Sequence, residues 1–119
     1  MSLSVFLEKI NNNVPVSFNE TIAIIAENYT YQPTEFSNGL GENRIINKAA
    51  NNEGSCKIFA FAKINQLDQA QTLSLFGDYY RIDVLNNPEG TDHQNIRNFI
   101  RYSWDGISFQ SPALTRVQL

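Results

Sequence analysis

In 119 residues the chain has one cysteine, one histidine, one tryptophan and one methionine, and the scarcity of the first two is the most informative. Cys56 alone cannot close an internal disulfide. A small secreted domain stapled by bridges is therefore excluded, and a reducing compartment is expected. A lone cysteine and a lone histidine cannot supply the three or four ligands of a zinc site within one protomer, so no metal and no other cofactor is assigned. Charge is sparse too: 18% of residues are charged, and nine basic against twelve acidic side chains leave a net charge of −3. The basic residues are scattered and form no stripe that would neutralise phosphates, so nucleic acid is not an expected partner. No apolar run approaches the roughly 18 residues of a membrane span. Met1 to Asn13 carries Glu8 and Lys9 where a signal peptide would place a basic and then an apolar region. Neither a membrane partner nor an anchor is expected. What remains, 42% apolar residues in a length typical of one domain, predicts a single globular domain over residues 1–119.

Asparagine is abundant, 15 of 119 residues, and it clusters at Asn11-Asn12-Asn13, Asn51-Asn52 and Asn86-Asn87. Asparagine bonds its own backbone and tolerates left-handed geometry, so these clusters mark turns between packed elements.

Between the turns the pattern is mostly helical. Leu3, Phe6, Leu7 and Ile10 recur at helical spacing up to the Asn triplet. Ser17 and Glu20 form a capping box ahead of Phe18, Ile22, Ile25 and Ala26, which predicts a second helix as far as Asn28. Tyr29 to Phe36 favours strand, interrupted or at an edge because Pro33 cannot donate to a ladder. Arg44 to Ala50 carries no clear signal. Ser55 is read as the cap of a buried helix over the densely apolar Ile58 to Ile64. Asp68 and Gln71 make a second capping box before a stripe of Ala70, Leu73, Phe76, Tyr80 and Val84. Gly77 interrupts that stripe, which requires either a close neighbour or a bend. Thr91 or Asp92 caps a last helix with Ile96, Phe99 and Ile100, and Ile107 to Phe109 alternates as a short strand. The expected fold is α+β and mainly helical, about five helices with a small antiparallel hairpin or sheet from segments near 29–37 and 106–110.

Two constellations carry candidate chemistry. With Ser55 as cap, Cys56 sits in a first helical turn, where the dipole and free N–H groups stabilise a thiolate. His93 sits at the start of the last helix, where the same field favours a neutral ring able to act as a base, and Asp92, Asn95 or Asp78 could orient it. A catalytic set of Cys56, His93 and Asp92 is thus one reading; a buried structural thiol is the other. The second constellation is Asp78-Tyr79-Tyr80-Arg81, where Asp78 and Arg81 can pair along a helix while the tyrosines and the arginine recognise a carboxylate or phosphate. Arg97, Asn95 and Glu53 are the further ligand-binding candidates.

The order of motifs also resembles a known family. Tyr31-x-Pro33-Thr34-x-Phe36-x-Asn38-Gly39, then Asn52-Glu53-Gly54-Ser55-Cys56-Lys57-Ile58-Phe59-Ala60-Phe61-Ala62, then Phe76-Gly77-Asp78-Tyr79-Tyr80-Arg81, is similar to the HopJ type III effectors. Pro88-x-Gly90-x-Asp92-His93-Gln94-Asn95-Ile96-Arg97, Trp104-Asp105-Gly106-Ile107-x-Phe109 and Pro112-Ala113-Leu114 extend the resemblance over about residues 17–114. The resemblance implies a small bacterial protein named for type III secretion, and it carries no catalytic residues with it. A helix beginning almost at Met1, where injected effectors usually have a flexible Ser-rich leader, makes the bacterial cytoplasm the expected location ahead of export.

Three functions compete on this reading: a non-enzymatic binding or interaction domain, a small Cys/His hydrolase or transferase, and a domain that binds a small polar ligand. The expected partner is a protein or a small polar molecule, and the expected state is a monomer or weak homo-oligomer.

Overall fold

The computed structural model describes residues 1–117. Helix α1 spans Leu3–Asn11 and α2 spans Phe18–Asn28, the latter opening on the capping box that the sequence predicts. Ser17 Oγ accepts from the Glu20 amide at 3.0 Å while Glu20 accepts from the Ser17 amide at 3.2 Å. Strands β1 (Tyr29–Tyr31), β2 (Phe36–Asn38) and β3 (Ile45–Asn47) precede helix α3 (Glu53–Ile64). The short α4 (Gln69–Ser74) opens on the second capping box, and a π-helical turn follows over Tyr79–Val84. Helix α5 (Gln94–Tyr102) and a 3-10 turn (Ser103–Gly106) lead to β4 (Ser108–Phe109) and β5 (Leu114–Arg116). The mainly helical α+β architecture is the one expected, with five α-helices and two small antiparallel sheets among the described residues.

The pairing departs from expectation in one respect. Tyr29 to Phe36 is interrupted at the stretch holding Pro33, as read, and its Phe36 end makes the expected pairing with Phe109, but its Tyr29 end pairs elsewhere. Its first half, β1, pairs with β5, Tyr29 opposite Arg116, while β2 pairs with both β3 and β4, Phe36 opposite Asn47 and Phe109. A proline that cannot donate makes a natural break, and the chain uses it to pass from one sheet to the other. Strand β3, in the stretch with no clear signal, completes the three-stranded sheet.

The stripe from Ala70 to Val84 is likewise not one helix. Gly77 has φ +61°, and a Cβ there would lie 2.6 Å from the Phe18 backbone nitrogen, so the close neighbour and the bend both occur. Arg81 fastens the corner by donating to the carbonyls of Val16 at 2.6 Å and Ser74 at 3.3 Å. Among the described residues the predicted Asp78–Arg81 pair is not found.

Helix α3 is the centre of the core. Cys56, Ile58, Phe59, Ala60, Phe61 and Ala62 are all buried on it, as its all-round apolar sequence requires. Phe59 meets Phe36, Phe76 and Phe99 at centroid distances of 6.0, 5.5 and 5.0 Å, tying α3 to β2, the α4 end and α5. These contacts fix the N-terminus of α3 beside that of α5.

Candidate functional site

A cleft of about 380 Å³ opens where α3 and α5 begin. Its walls are the end of β3 with Asn47, the first turns of α3 and α5, Phe18 from α2, Phe76, and Tyr79 from the π-helical turn. Both helices start in an unusual way. The residue before α3 is Asn52, with φ 53° and ψ 48°, and the residue before α5 is His93, with φ 50° and ψ 47°. Each is left-handed, and neither offers a side-chain cap. The expected caps, Ser55 for α3 and Thr91 or Asp92 for α5, are not the ones used: α3 starts two residues before Ser55, and His93 takes the cap position of α5. In α2 and α4 side chains satisfy first-turn N–H groups, whereas at α3 and α5 those donors receive no such partner. Gly54 keeps this entrance narrow, since a Cβ on it would lie 2.9 Å from the Phe18 ring.

Between the two starts lies a buried network of asparagine amides. Asn47 and Asn95 are 1% and 8% exposed. They exchange hydrogen bonds reciprocally, Asn47 Nδ2 to Asn95 Oδ1 at 3.0 Å and Asn95 Nδ2 to Asn47 Oδ1 at 2.9 Å. Asn52 Nδ2 adds a second donor to Asn47 Oδ1 at 2.8 Å, and Asn38 Nδ2 adds a second to Asn95 Oδ1 at 3.0 Å. Asn98 then donates to the Asn38 and Asn43 carbonyls at 3.1 and 2.7 Å, joining α5 to the β2–β3 connection. Buried amides are normally paired, and this set pairs mainly with itself, with Asn38 Oδ1 left without a partner among the described residues.

The opposite wall is aromatic and charged. The His93 ring lies 5.3 Å from the Tyr79 ring, which itself meets Phe18 edge-on at 5.0 Å. His93 Nε2 is 3.1 Å from Asp83 Oδ2 and 3.9 Å from Asp92 Oδ2. The π-helical turn thus delivers two residues four apart, Tyr79 and Asp83, onto one imidazole. Arg97 grips the Asp92 carboxylate at 2.7 Å, the Asp92 carbonyl at 2.6 Å and the Asn87 carbonyl at 2.8 Å. That hydrogen bond from Arg97 holds the Asp92 carboxyl below the usual carboxylate range.

The expected Cys56–His93 pair is not assembled. Cys56 is 1% exposed, and its thiol points to the Thr34 carbonyl at 3.8 Å. Burial above all pushes the thiol pKa up, the reverse of thiolate activation. Cys56 does not line the cleft, and no hydrogen bond joins it to His93 among the described residues. Glu53, although first in α3, does not line the cleft; after burial itself, its carboxylate is the leading cause of the rise in the pKa of the Tyr31 hydroxyl. Of the ligand-binding candidates, Tyr79 and Asn95 reach the cleft. Asp78 is exposed in a neighbouring hollow beside Ser17 and Asn19, Tyr80 packs against the core, and Arg81 and Arg97 are occupied by backbone carbonyls. The residues that sequence reasoning missed are Asn47, Asn52, Phe18 and Asp83. Among the described residues, no group of three or more His, Cys, Asp or Glu could hold a metal, and no helix is long and apolar enough to cross a membrane.

The family model for the HopJ type III effector protein matches residues 3–114, which include every wall of this cleft. The chain belongs to the HopJ type III effector family. It is also similar to the crystal structure of the unknown function protein VPA0580, with 46% sequence identity, a TM-score of 0.92, and coverage of 98% of this chain and 95% of that one. No curated protein matches the chain. Membership in the HopJ family makes this an effector-like protein.

Proposed function

We propose that this HopJ protein is a non-enzymatic binding domain whose cleft between α3 and α5 takes a small polar molecule. The observation that carries this reading is the buried amide wall: Asn47 and Asn95, nine-tenths or more buried, line a concave space faced by Tyr79 and His93. Concave sites that combine an apolar lining with a few fixed polar groups are the usual form of ligand pockets. The reading fits poorly with a Cys/His hydrolase or transferase, because the thiol is sealed elsewhere. Ser55 also lines the cleft, yet no hydrogen bond links its hydroxyl to the His93 ring among the described residues. The family description supports passage through type III secretion, and the same cleft would serve a protein that stays in the bacterial cytoplasm.

The test is thermal protection by a panel of small carboxylates, phosphates, amides and sugars, measured on the natural chain and on Tyr79→Ala. Tyr79 is 43% exposed, so its removal opens the cleft without emptying the core. A ligand that raises the melting temperature of the natural chain and not of the variant is the expected result. Hits that protect both proteins equally, or a panel with none, would overturn the proposal.

A further inference from the structure

The hydrogen-bonding capacity of the cleft wall is unequal. Each side-chain amide has two acceptor lone pairs and two N–H donors. In the Asn47–Asn95 pair both oxygens are filled, since each accepts from the other residue and from a further asparagine. Both nitrogens are half used, because among the described residues each makes one hydrogen bond, to the other's oxygen. The reciprocal pairing takes the hydrogen on the same side as the oxygen and leaves the outer one over. To these two spare donors the uncapped first turns of α3 and α5 add backbone N–H groups at Gly54, Ser55, Asn95 and Ile96, all cleft-lining residues. What the Asn47–Asn95 pair itself has left over at this junction is therefore donors.

Resting on the proposal that the cleft holds a ligand, we infer that the ligand presents an oxyanion, the carboxylate of a small organic acid, to the junction of the two helix starts. No lysine or arginine lines the cleft. Compensation of the charge comes from the peptide dipoles, each helix start acting as about half a positive charge. The charged groups near His93 are Asp83, Asp92 and Arg97, and Arg97 already neutralises Asp92. An organic body suits the rest of the lining, where Phe18, Ile45 and Ile96 offer apolar surface and the Tyr79 ring closes the wall.

The test titrates the 15N-labelled natural chain at matched ionic strength with sodium benzoate, its neutral isostere benzamide, and sodium phosphate. The expected result is a saturable shift of the Gly54, Ser55, Asn95 and Ile96 amides by benzoate, with benzamide weaker by about tenfold or more. Ser55→Asp places a fixed carboxylate in the first turn of α3, where it favours the helix and competes with the ligand, so benzoate should weaken by about tenfold or more. The same charge placed in the first turn of α1, Ser4→Asp, lies outside the cleft and should stay within about threefold of the natural chain. Equal binding of benzamide and benzoate at these amides would overturn the oxyanion and leave the cleft as a ligand site. Binding of phosphate with benzoate silent would overturn the organic acid. Silence of all three at these amides, together with a panel that yields no Tyr79-dependent hit, would remove the ligand site itself.

Discussion

Replacing Asn95 by alanine removes the hinge of the amide network, and the structure sets the expected cost. Asn95 contributes three side-chain hydrogen bonds: one donated to Asn47 Oδ1 and two accepted, from Asn38 Nδ2 and Asn47 Nδ2. The losses are unequal. Asn38 Nδ2 keeps the Asn95 carbonyl at 2.8 Å, and Asn47 Oδ1 keeps Asn52. Asn47 Nδ2 keeps nothing, and Asn47 is 1% exposed. One fully orphaned buried amide costs about 1 to 3 kcal/mol, and two further hydrogen bonds lost to partly satisfied groups add roughly 0.5 kcal/mol each. The sum is about 2 to 4 kcal/mol, with the lower end applying if solvent from the cleft enters the space left behind. Urea unfolding followed by Trp104 fluorescence measures it, because that indole is packed 5.1 Å from Phe99 and bonded to the Leu67 carbonyl. A double-mutant cycle with Asn47→Ala should return a coupling of about 0.5 to 3 kcal/mol. A loss below about 0.5 kcal/mol for Asn95→Ala, or strict additivity in the cycle, would refute the network as a stabilising unit.

Gly77→Ala should destabilise by about 3 kcal/mol or more, since left-handed backbone costs roughly 1 to 2 kcal/mol and the new Cβ also meets the Phe18 backbone; a urea midpoint unchanged from that of the natural chain would contradict the corner described here. Iodoacetamide at neutral pH should label Cys56 slowly in the folded chain and rapidly in urea, and rapid labelling of the folded chain would restore a reactive thiol. Burial raises the pKa values of Cys56 and Tyr31, so the folded chain is favoured while both are protonated; that stability fades above about pH 9, where the unfolded chain ionises first. The double variant Cys56→Ala, Tyr31→Phe should therefore lose less stability between about pH 8 and about pH 10 than the natural chain loses. Arg97→Ala should raise the Asp92 carboxyl pKa toward the ordinary carboxylate range in an NMR titration, and an unmoved value would show that Arg97 is not the cause of its depression.

The helical part of the fold is legible in the residues because its signals are local. Ser17-x-x-Glu20 and Asp68-x-x-Gln71 satisfy backbone donors within one turn, and both capping boxes form as read. The apolar density of Ile58 to Ile64 likewise announces a helix buried on nearly all sides. Sheet pairing is less legible because strands of two or three residues carry no period, and partners such as Tyr29 and Arg116 are far apart in the chain. The candidate site was legible in part. Tyr79, His93 and Asn95 were marked by their chemistry, whereas Asn47 and Asn52 read as turn residues because asparagine favours turns and left-handed backbone alike. Asn52 does take the left-handed conformation, and its amide also joins the network. The Cys56–His93 pairing failed for a geometric reason. Successive residues on a helix point about 100° apart, so when Ser55 faces the cleft its neighbour Cys56 turns toward Thr34.

The central claim, that the start of α3 and the start of α5 form one ligand site, is tested most directly by the backbone amides that benzoate moves. The account predicts that Gly54 and Ser55 from α3 and Asn95 and Ile96 from α5 shift together along one saturation curve. Shifts confined to a single helix, or scattered over surface lysines and arginines, would contradict it.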